Sequence, residues 1–550
     1  MRQELEQAIA GACKELFNVD VEVDLTRPDE QFGDYATSVA LQLGKRLDKN
    51  PREVAETLKS ALKHPSIVSA DIAGPGFINL TLTDAALTKL AAQKPMRVLA
   101  GKEVVAEYSD PNPFKVLHAG HLYTSVVGDG IASLLEAAGA KVHRVNFGGD
   151  VGLHVGKTMW AILRELGGEN PDGLKAIENH AEWLTKAYIE GTTAYDENEA
   201  AKAEITTLNK RVYQLHADGD KESAFAQIYW TCRQWSYDYF DEFYKRIGSS
   251  FEKYYPESEV AELGVQTVKE HIPDVFVESE GAIVFKGEDH DLHTRVFVNS
   301  EGLPTYEAKD VGLIVAKKRD YNFDKSVVIT GNEQAQYMAV VLKAIEQFAP
   351  ELSTATTHLT HGMVKLAGGV KMSSRKGNIL RAIDVIDAAR AANQKTTGKD
   401  DETTALAAVK YALLKNRMGG DVIYDPAESV ALEGNSGPYL QYAHARARSI
   451  LAKSKVQSPK SSEKLQKDER SLLRKIGEYT EVVDRAVQEL MPHHVCTYLY
   501  ELAQVFNRFY ENNRVLDDPR QAVRLNLVQA YADTLKSGLE LLNIPAPDRM

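Results

Sequence analysis

A chain of 550 residues is too long for one hydrophobic core, and 43% hydrophobic with 26% charged residues reads as three or four ordinary globular domains. No apolar run is long enough for a bilayer. The chain also opens without an apolar signal segment, and Cys13, Cys232 and Cys496 stand far apart with no CxxC. These features argue against a membrane span, a disulfide framework and a Cys-rich zinc site, and fit a reducing cytoplasm. The net charge of −13 does not advertise a nucleic-acid binder, but it is uneven: the last 110 residues carry +3 and the rest −16. That asymmetry permits RNA contact at the C-terminal end, and a solvated surface explains it equally well.

In chain order, Leu5, Ile9, Leu16 and Phe17 predict an amphipathic helix, and Val21–Leu25 alternates like a strand. Asn50 before Pro51 is an N-cap and first-turn pair. Gly74-Pro75-Gly76 makes a turn before a strand at Phe77–Leu82, so a small α/β domain occupies residues 1–98. From Lys102 the pattern becomes parallel α/β, with strands at Val104–Tyr108 and Lys141–Val145 and a helix through Ser125, Ile131 and Leu135. Residues from about 160 to 300, with helical patterns at Asn209–Leu215 and Trp230–Arg246, read as insertions into this sheet domain. Strand signals return at Ala282–Phe285, Ser326–Thr330 and His358–Lys365. The sheet domain then covers 99–380. Residues 381–550 are nearly all helix, broken by a Lys- and Ser-rich loop at Lys453–Asp468.

Two motifs carry chemistry. His118-Ala119-Gly120-His121 falls where a strand gives way to a helix, at the carboxyl end of a parallel sheet where ligands bind. A helix N-terminus offers unpaired N–H groups, Gly120 admits a close ligand, and the imidazoles can donate to an α-phosphate as charge develops. The plain alternative is a His pair that caps or packs the helix. Lys371-Met372-Ser373-Ser374-Arg375-Lys376-Gly377 offers mobile cations and hydroxyl donors on a Gly-flanked loop. Its plain alternative is a solvated basic turn.

Longer blocks surround both motifs. Glu107–His121 fits E-x-S-x-P-N-x-x-K-x-x-H-x-G-H, and Asn146–Gly152 fits N-x-x-G-D-x-G. Thr305–Gly312 fits T-Y-x-x-x-D-x-G, and Gly434–Arg446 contains P-Y-x-Q-Y-A-H-A-R. Over nearly its whole length the chain resembles the class I aminoacyl-tRNA synthetases, and among them the arginyl-tRNA synthetase family. The resemblance implies a class I Rossmann-like parallel-sheet catalytic domain with insertions, a small N-terminal α/β domain and a C-terminal all-helical anticodon-binding domain. It implies an arginine-tRNA ligase that uses ATP with Mg²⁺ and no zinc, joins L-arginine to tRNA(Arg), works as a monomer and activates arginine only with tRNA bound.

The same resemblance assigns residues. His118, His121, Lys371 and Lys115 would be catalytic, Lys115 making good the second lysine that Ser374 replaces. Gly120, His361, Met363, Met372, Ser373 and Ser374 would bind ATP. Glu107, Ser109, Asn112, Tyr306, Asp310 and Gln334 would bind arginine, with Gln336 the alternative to Gln334 and the role of Asp110 open. Phe77, Asn79, Tyr439 and Met550 would meet tRNA, Met550 beside Tyr439. Physical chemistry agrees on Asp310, since a guanidinium with five donors wants carboxylate acceptors, and Glu107, Ser109 and Asn112 at the end of the first strand can hold the α-amino and carboxylate groups. Tyr306 and Asp310, at i and i+4, can also be a surface pair, Phe77 can be strand packing, and Tyr439 can be core. A small-metabolite nucleotidylyltransferase and a non-catalytic RNA-binding relative remain the rival readings.

Overall fold

A computed structural model describes residues 1–367, 380–453 and 464–550. The central sheet has five parallel strands: β1 (Glu103–Glu107), β2 (Lys141–Gly148), β3 (Lys253–Pro256), β4 (Lys325–Gly331) and β5 (Thr356–His361). Their order is β5-β4-β1-β2-β3, all pairs parallel. Chain order therefore reverses at β1, where the connections to either side diverge and open a crevice at the carboxyl edge. The helix α1 (Ala119–Ala137) follows β1 and is buried through most of its length.

Two helices set the depth of that crevice. α2 (Glu257–Glu270) follows β3 directly, and α3 (Tyr306–Tyr321) precedes β4. They cross closely: a Cβ on Gly264 would collide with the Ala308 carbonyl, and one on Gly312 with the Val260 carbonyl. Glycine at both positions lets α3 sit against α2, which brings Glu257 and Lys309 into contact.

The N-terminal body holds a helix, Arg2–Phe17, and an antiparallel sheet with Phe77–Leu82 in its middle. Asn50 caps the helix Pro51–Ala61 by accepting from the Arg52 N–H at 2.9 Å, as its sequence predicts. At the other end, α4 (Gly437–Lys453) packs with helices Lys467–Ile476, His493–Asn512 and Gln521–Leu541. Arg27 to Glu481 at 2.6 Å and Arg470 to Asp84 at 3.1 Å tie the N-terminal body to this bundle.

Several expectations need correction. Val21–Leu25 alternates in burial but pairs with nothing; only a single bridge, Thr26 to Ala36, follows it. Side-chain alternation reports one buried face and says nothing about a partner strand. Ala282–Phe285 belongs to a separate antiparallel sheet, and β3 lies inside the stretch expected to be all insertion. His358–Lys365 spans two strands, because Gly362 approaches the Gly420 backbone and the chain leaves the sheet there. The second piece, Val364–Leu366, pairs with Val422–Tyr424, so the region after 380 is not purely helical.

Candidate functional site

The carboxyl edge of the sheet gathers the candidate residues: Glu107 to Asn112 after β1, Asn146 to Asp150 at β2, Glu257 after β3, Gln334 after β4 and His361 at the end of β5. The loop leaving β1 is strained, with Ser109 at φ 75°, Asp110 at 46° and Phe114 at 70°. Non-glycine residues in that region cost on the order of 1–3 kcal/mol each and persist where the surroundings hold them. Here they do: Asp110 Oδ1 accepts from the Phe147 N–H at 2.8 Å, and Asn112 Oδ1 from the Gly149 N–H at 2.8 Å.

The start of α1 differs from expectation. The amide N–H groups of His118, Ala119 and Gly120 are not open to a ligand. His121 Nδ1 accepts from the His118 N–H at 3.1 Å, His118 Nδ1 from the Gly120 N–H at 3.1 Å, and the Leu380 carbonyl from the Ala119 N–H at 2.9 Å. The rings pack 3.8 Å apart. Both Nδ1 atoms being acceptors, each neutral ring carries its proton on Nε2. Gly120 is required for a different reason from the one expected: a Cβ there would lie 2.8 Å from the His118 ring. The His118 ring opens on the crevice yet is enclosed by its walls. That desolvation, then the charges of Lys115 and His361, lowers its pKa to about 4. His121 is lowered well below the ordinary histidine value by burial and by His118. Both are therefore neutral donors at physiological pH.

The acids are arranged unevenly. Glu107 is buried and accepts from the Lys317 ammonium through Oε2. Glu257 is buried and accepts from Lys309 at 2.6 Å. Asp310 is 7% exposed and has no hydrogen-bond or ion-pair partner among the described residues. Burial, then the Glu107 charge, raises the pKa of Asp310 well above the usual carboxylate range. Asp110 is raised by the same two causes. Tyr306 stands at the mouth, 56% exposed, with the Lys309 ammonium 5.1 Å from its ring. It shares a helix side with Asp310 but not its environment. Ser109 is buried with its hydroxyl shared between Tyr244 at 2.8 Å and Ser125 at 2.9 Å, whereas the amide N–H₂ of Asn112 has no partner among the described residues. Gln334 and Gln336 are both exposed beyond β4, which leaves that alternative open.

Other candidates separate from one another. His361 is buried, and both ring nitrogens are occupied, by Thr124 Oγ1 at 2.7 Å and the Gly362 carbonyl at 2.7 Å. Its ring ties β5 to α1 and is not available to a nucleotide. Met363 is exposed beside it. Lys115 lies where its charge depresses both motif histidines, and its own pKa is lowered by burial. Lys371, Met372, Ser373 and Ser374 lie outside the described residues, but the chain on either side of them is anchored. Ala367 donates to the Tyr424 carbonyl at 3.0 Å, and Ala382 to the Leu117 carbonyl at 2.9 Å, next to His118.

Away from the sheet, Phe77 is exposed, and Asn79, two residues on, lines a cavity of about 330 Å³ with Phe32, Thr81, Arg470 and Arg474. Tyr439 is half-buried, its hydroxyl accepting from Asn507 at 2.8 Å. Met550 is not its neighbour. The terminal segment runs along α4 through Gln441 to Pro545 at 2.8 Å, His444 to Pro547 at 2.9 Å and Arg448 to Asp548 at 3.0 Å. At about 100° per residue, Tyr439 faces roughly the opposite side of the helix from those three. Sequence reasoning also missed Lys317 and Glu257. Lys317 falls two turns after Asp310 on the same face, but nothing in Lys317-Lys318-Arg319 marks which of the three is buried.

Three family models match the chain: an arginyl tRNA synthetase N-terminal domain over residues 1–82, the catalytic domain of the class I (R) tRNA synthetases over 83–425, and a DALR anticodon-binding domain over 440–550. The arginine–tRNA ligase of Flavobacterium psychrophilum is 30% identical over 82% of this chain and 80% of its own length, and that of Porphyromonas gingivalis 28% identical over 100% and 99%. The solved structure of the Thermus thermophilus arginyl-tRNA synthetase superposes with a TM-score of 0.82, at 26% identity, over 100% of both chains. With a matched catalytic domain covering more than half of its length and flanking domains of the same kind at both ends, the chain belongs to the arginyl-tRNA synthetase family.

Proposed function

We propose the following division of labour for the ligation of arginine to tRNA that membership of this family carries. A carboxylate oxygen of arginine attacks the α-phosphorus of ATP, the bond to pyrophosphate breaks, and arginyl-adenylate forms. A terminal ribose hydroxyl of tRNA(Arg) then attacks the acyl carbon, and AMP leaves. The protein positions the reactants and stabilises charge, with no covalent nucleophile of its own.

His118 and His121 donate from Nε2 to the α-phosphate oxygens as negative charge grows. Lys115 and the loop residues Lys371, Met372, Ser373 and Ser374 close on the triphosphate from the other side. The anchoring of the chain after the loop beside His118 supports that reading. Mg²⁺ arrives chelated by ATP, and no step is assigned to a protein-held metal. Asp310 and Glu107 take the guanidinium, Tyr306 closes the mouth, and Asn112, Ser109 and Gln334 meet the α-amino and carboxylate end. Phe77 and Asn79 at one end of the molecule and Tyr439 at the other meet unstacked bases. Functionally we divide the chain near residues 98 and 380, and place it in the cytoplasm as a monomer that needs bound tRNA for activation. Its three cysteines are free and buried, as suits a reducing compartment.

The observation that carries the specificity is Asp310. A buried carboxylate without a protein partner is costly unless a cation completes it, and arginine supplies a planar one. Pyrophosphate exchange with each amino acid, with and without total tRNA, tests the reading. Exchange with arginine alone, and only with tRNA present, is expected. Exchange with no amino acid but with a small metabolite would transfer the chain's activity to the nucleotidylyltransferases. In Asp310→Asn the arginine KM should rise by roughly tenfold to a hundredfold at unchanged ATP KM, because a neutral amide loses the charge-assisted pair.

A further inference from the structure

Resting on the reading of Asp310 and Glu107 as the guanidinium site, we propose that Lys317 is a positioning residue for arginine: it holds Glu107 as an ionised acceptor on one side so that the other side and Asp310 are left for the substrate. The geometry is specific. Lys317 is wholly buried on α3, seven residues after Asp310, so the two share a face about 10 Å apart along the helix axis. Glu107 comes up from the carboxyl end of β1 and meets the Lys317 ammonium through Oε2. Its Oε1 has no partner among the described residues.

The charges around this trio are otherwise committed. From α2, Glu257 is paired with Lys309 of α3 at 2.6 Å. From the strand Arg295–Val298, Arg295 is paired with Glu307 at 3.1 Å. From the loop after β1, Asp110 adds a third carboxyl, its pKa raised by desolvation and by the Glu107 charge. Lys317 is thus the cation paired into a group of Glu107, Asp110 and Asp310. Three carboxylates gathered this closely without it would not all stay ionised; they would take up protons. A protonated carboxyl is a donor on one oxygen, and a guanidinium has five donors and no acceptor. Neutralising the acids by protonation would therefore destroy the fork that reads arginine, whereas an ammonium fixed behind Glu107 relieves the repulsion and leaves acceptors in place. A compact ammonium suits this position, reaching Glu107 from behind without occupying both of its oxygens.

The test is a set of variants assayed by tRNA-dependent pyrophosphate exchange: Lys317→Met, Glu107→Gln, the double variant, and Asp310→Asn. Lys317→Met should raise the arginine KM at least tenfold near pH 7, leave the ATP KM near wild type, and recover arginine affinity as the pH is raised through about 6 to 9 and the acids ionise. In Glu107→Gln, adding Lys317→Met should make no further difference to the arginine KM, since the lysine acts through Glu107. Lys317→Gln gives the same readout should the Met variant fail to fold. If Asp310→Asn leaves the arginine KM unchanged, the site reading itself fails. If Asp310→Asn raises it but Lys317→Met and Lys317→Gln alter neither the arginine KM nor its pH profile, the role of Lys317 is overturned and the site stands. A rise in arginine and ATP KM together, with a fall in melting temperature, would make Lys317 merely structural and also overturn the proposal.

Discussion

The helical end of the molecule and the corner of the sheet treat a buried carboxylate in opposite ways. Glu469, in the helix Lys467–Ile476, is wholly buried and closed by protein: Arg524 at 3.0 Å, Arg520, and the Gln466 N–H at 2.9 Å. Against the desolvation cost, Arg520 and the other donors hold its pKa below the ordinary value. Asp310 is nearly as buried, has no such partners, and is held high. His118 and His121 follow the same division: each Nδ1 accepts from a backbone N–H, and neither Nε2 has a partner among the described residues. Burial alone does not mark a site. Burial with the polar valences left open does, because those groups are completed only by a ligand.

Glu469→Gln should give the largest change and should be one of stability. It leaves Arg520 and Arg524 facing a neutral amide in the bundle, which for a broken buried pair costs roughly 3–5 kcal/mol. Denaturant melts should show that loss while the folded fraction keeps its arginine and ATP KM. A variant that melted normally but lost arginine affinity would erase the contrast. His118→Ala or His121→Ala should do the reverse. Removing one preorganised donor to developing charge lowers kcat by about 10²–10³, with the ATP KM nearly unchanged, while loss of the cap on α1 costs about 1 kcal/mol of stability. A tenfold rise in ATP KM at constant kcat would make the histidines binding groups only. Because both imidazoles are already neutral, the wild-type kcat should show no histidine inflection near pH 6.5.

The comparison is sharpest in how stability responds to pH. The native-state pKa of Asp310 is raised, so between about pH 4 and that higher value the native state binds more protons than the unfolded chain, and stability falls as pH rises. Asp310→Asn removes that loss. Its melting temperature should therefore exceed that of the wild type near pH 8 and converge with it toward pH 4. Glu469 has the opposite sign. Its contribution is present above the unfolded pKa of about 4.3 and is lost as pH falls through the lower native value, so the deficit of Glu469→Gln should shrink below about pH 4. Two parallel melting curves across pH would refute the assignment of Asp310 as uncompensated.

What was legible in the sequence follows from the range of the physics involved. The cap at Asn50 and Pro51, the turn before Phe77, the β1–α1–β2 unit and the motif at His118 are local patterns, and each is where its residues predict. Which strands share a sheet is not local. Val21–Leu25 has the alternation of a strand but no neighbour, and Ala282–Phe285 has neighbours in a different sheet. The site was legible as residue types and not as valences. Nothing in His-Ala-Gly-His says that the rings consume the helix's own N–H groups, and nothing in Lys317-Lys318-Arg319 says which cation turns inward to Glu107. Met550 was misplaced because the apolar tail was read without its track along α4, which depends on Gln441 and His444 pointing away from Tyr439.

That track yields the smallest effect and a clean division within the helical end. Ile544 is buried, and the carbonyls of Pro545 and Pro547 accept from Gln441 and His444, while Arg549 and Met550 are exposed beyond the last of these contacts. Deleting Arg549 and Met550 removes little buried surface and none of these contacts with α4, so stability should move by no more than about 0.5 kcal/mol, the range of surface changes away from such features. The tRNA KM should also hold, because Tyr439 is on the far side of the helix. Tyr439→Ala, in contrast, should raise the tRNA KM several-fold, a stacked base being worth about 1–3 kcal/mol, and should leave arginine and ATP untouched. If the two-residue deletion raised the tRNA KM as much as Tyr439→Ala does, the terminus would reach the RNA after all, and the tail would have to leave its track along α4 when tRNA binds.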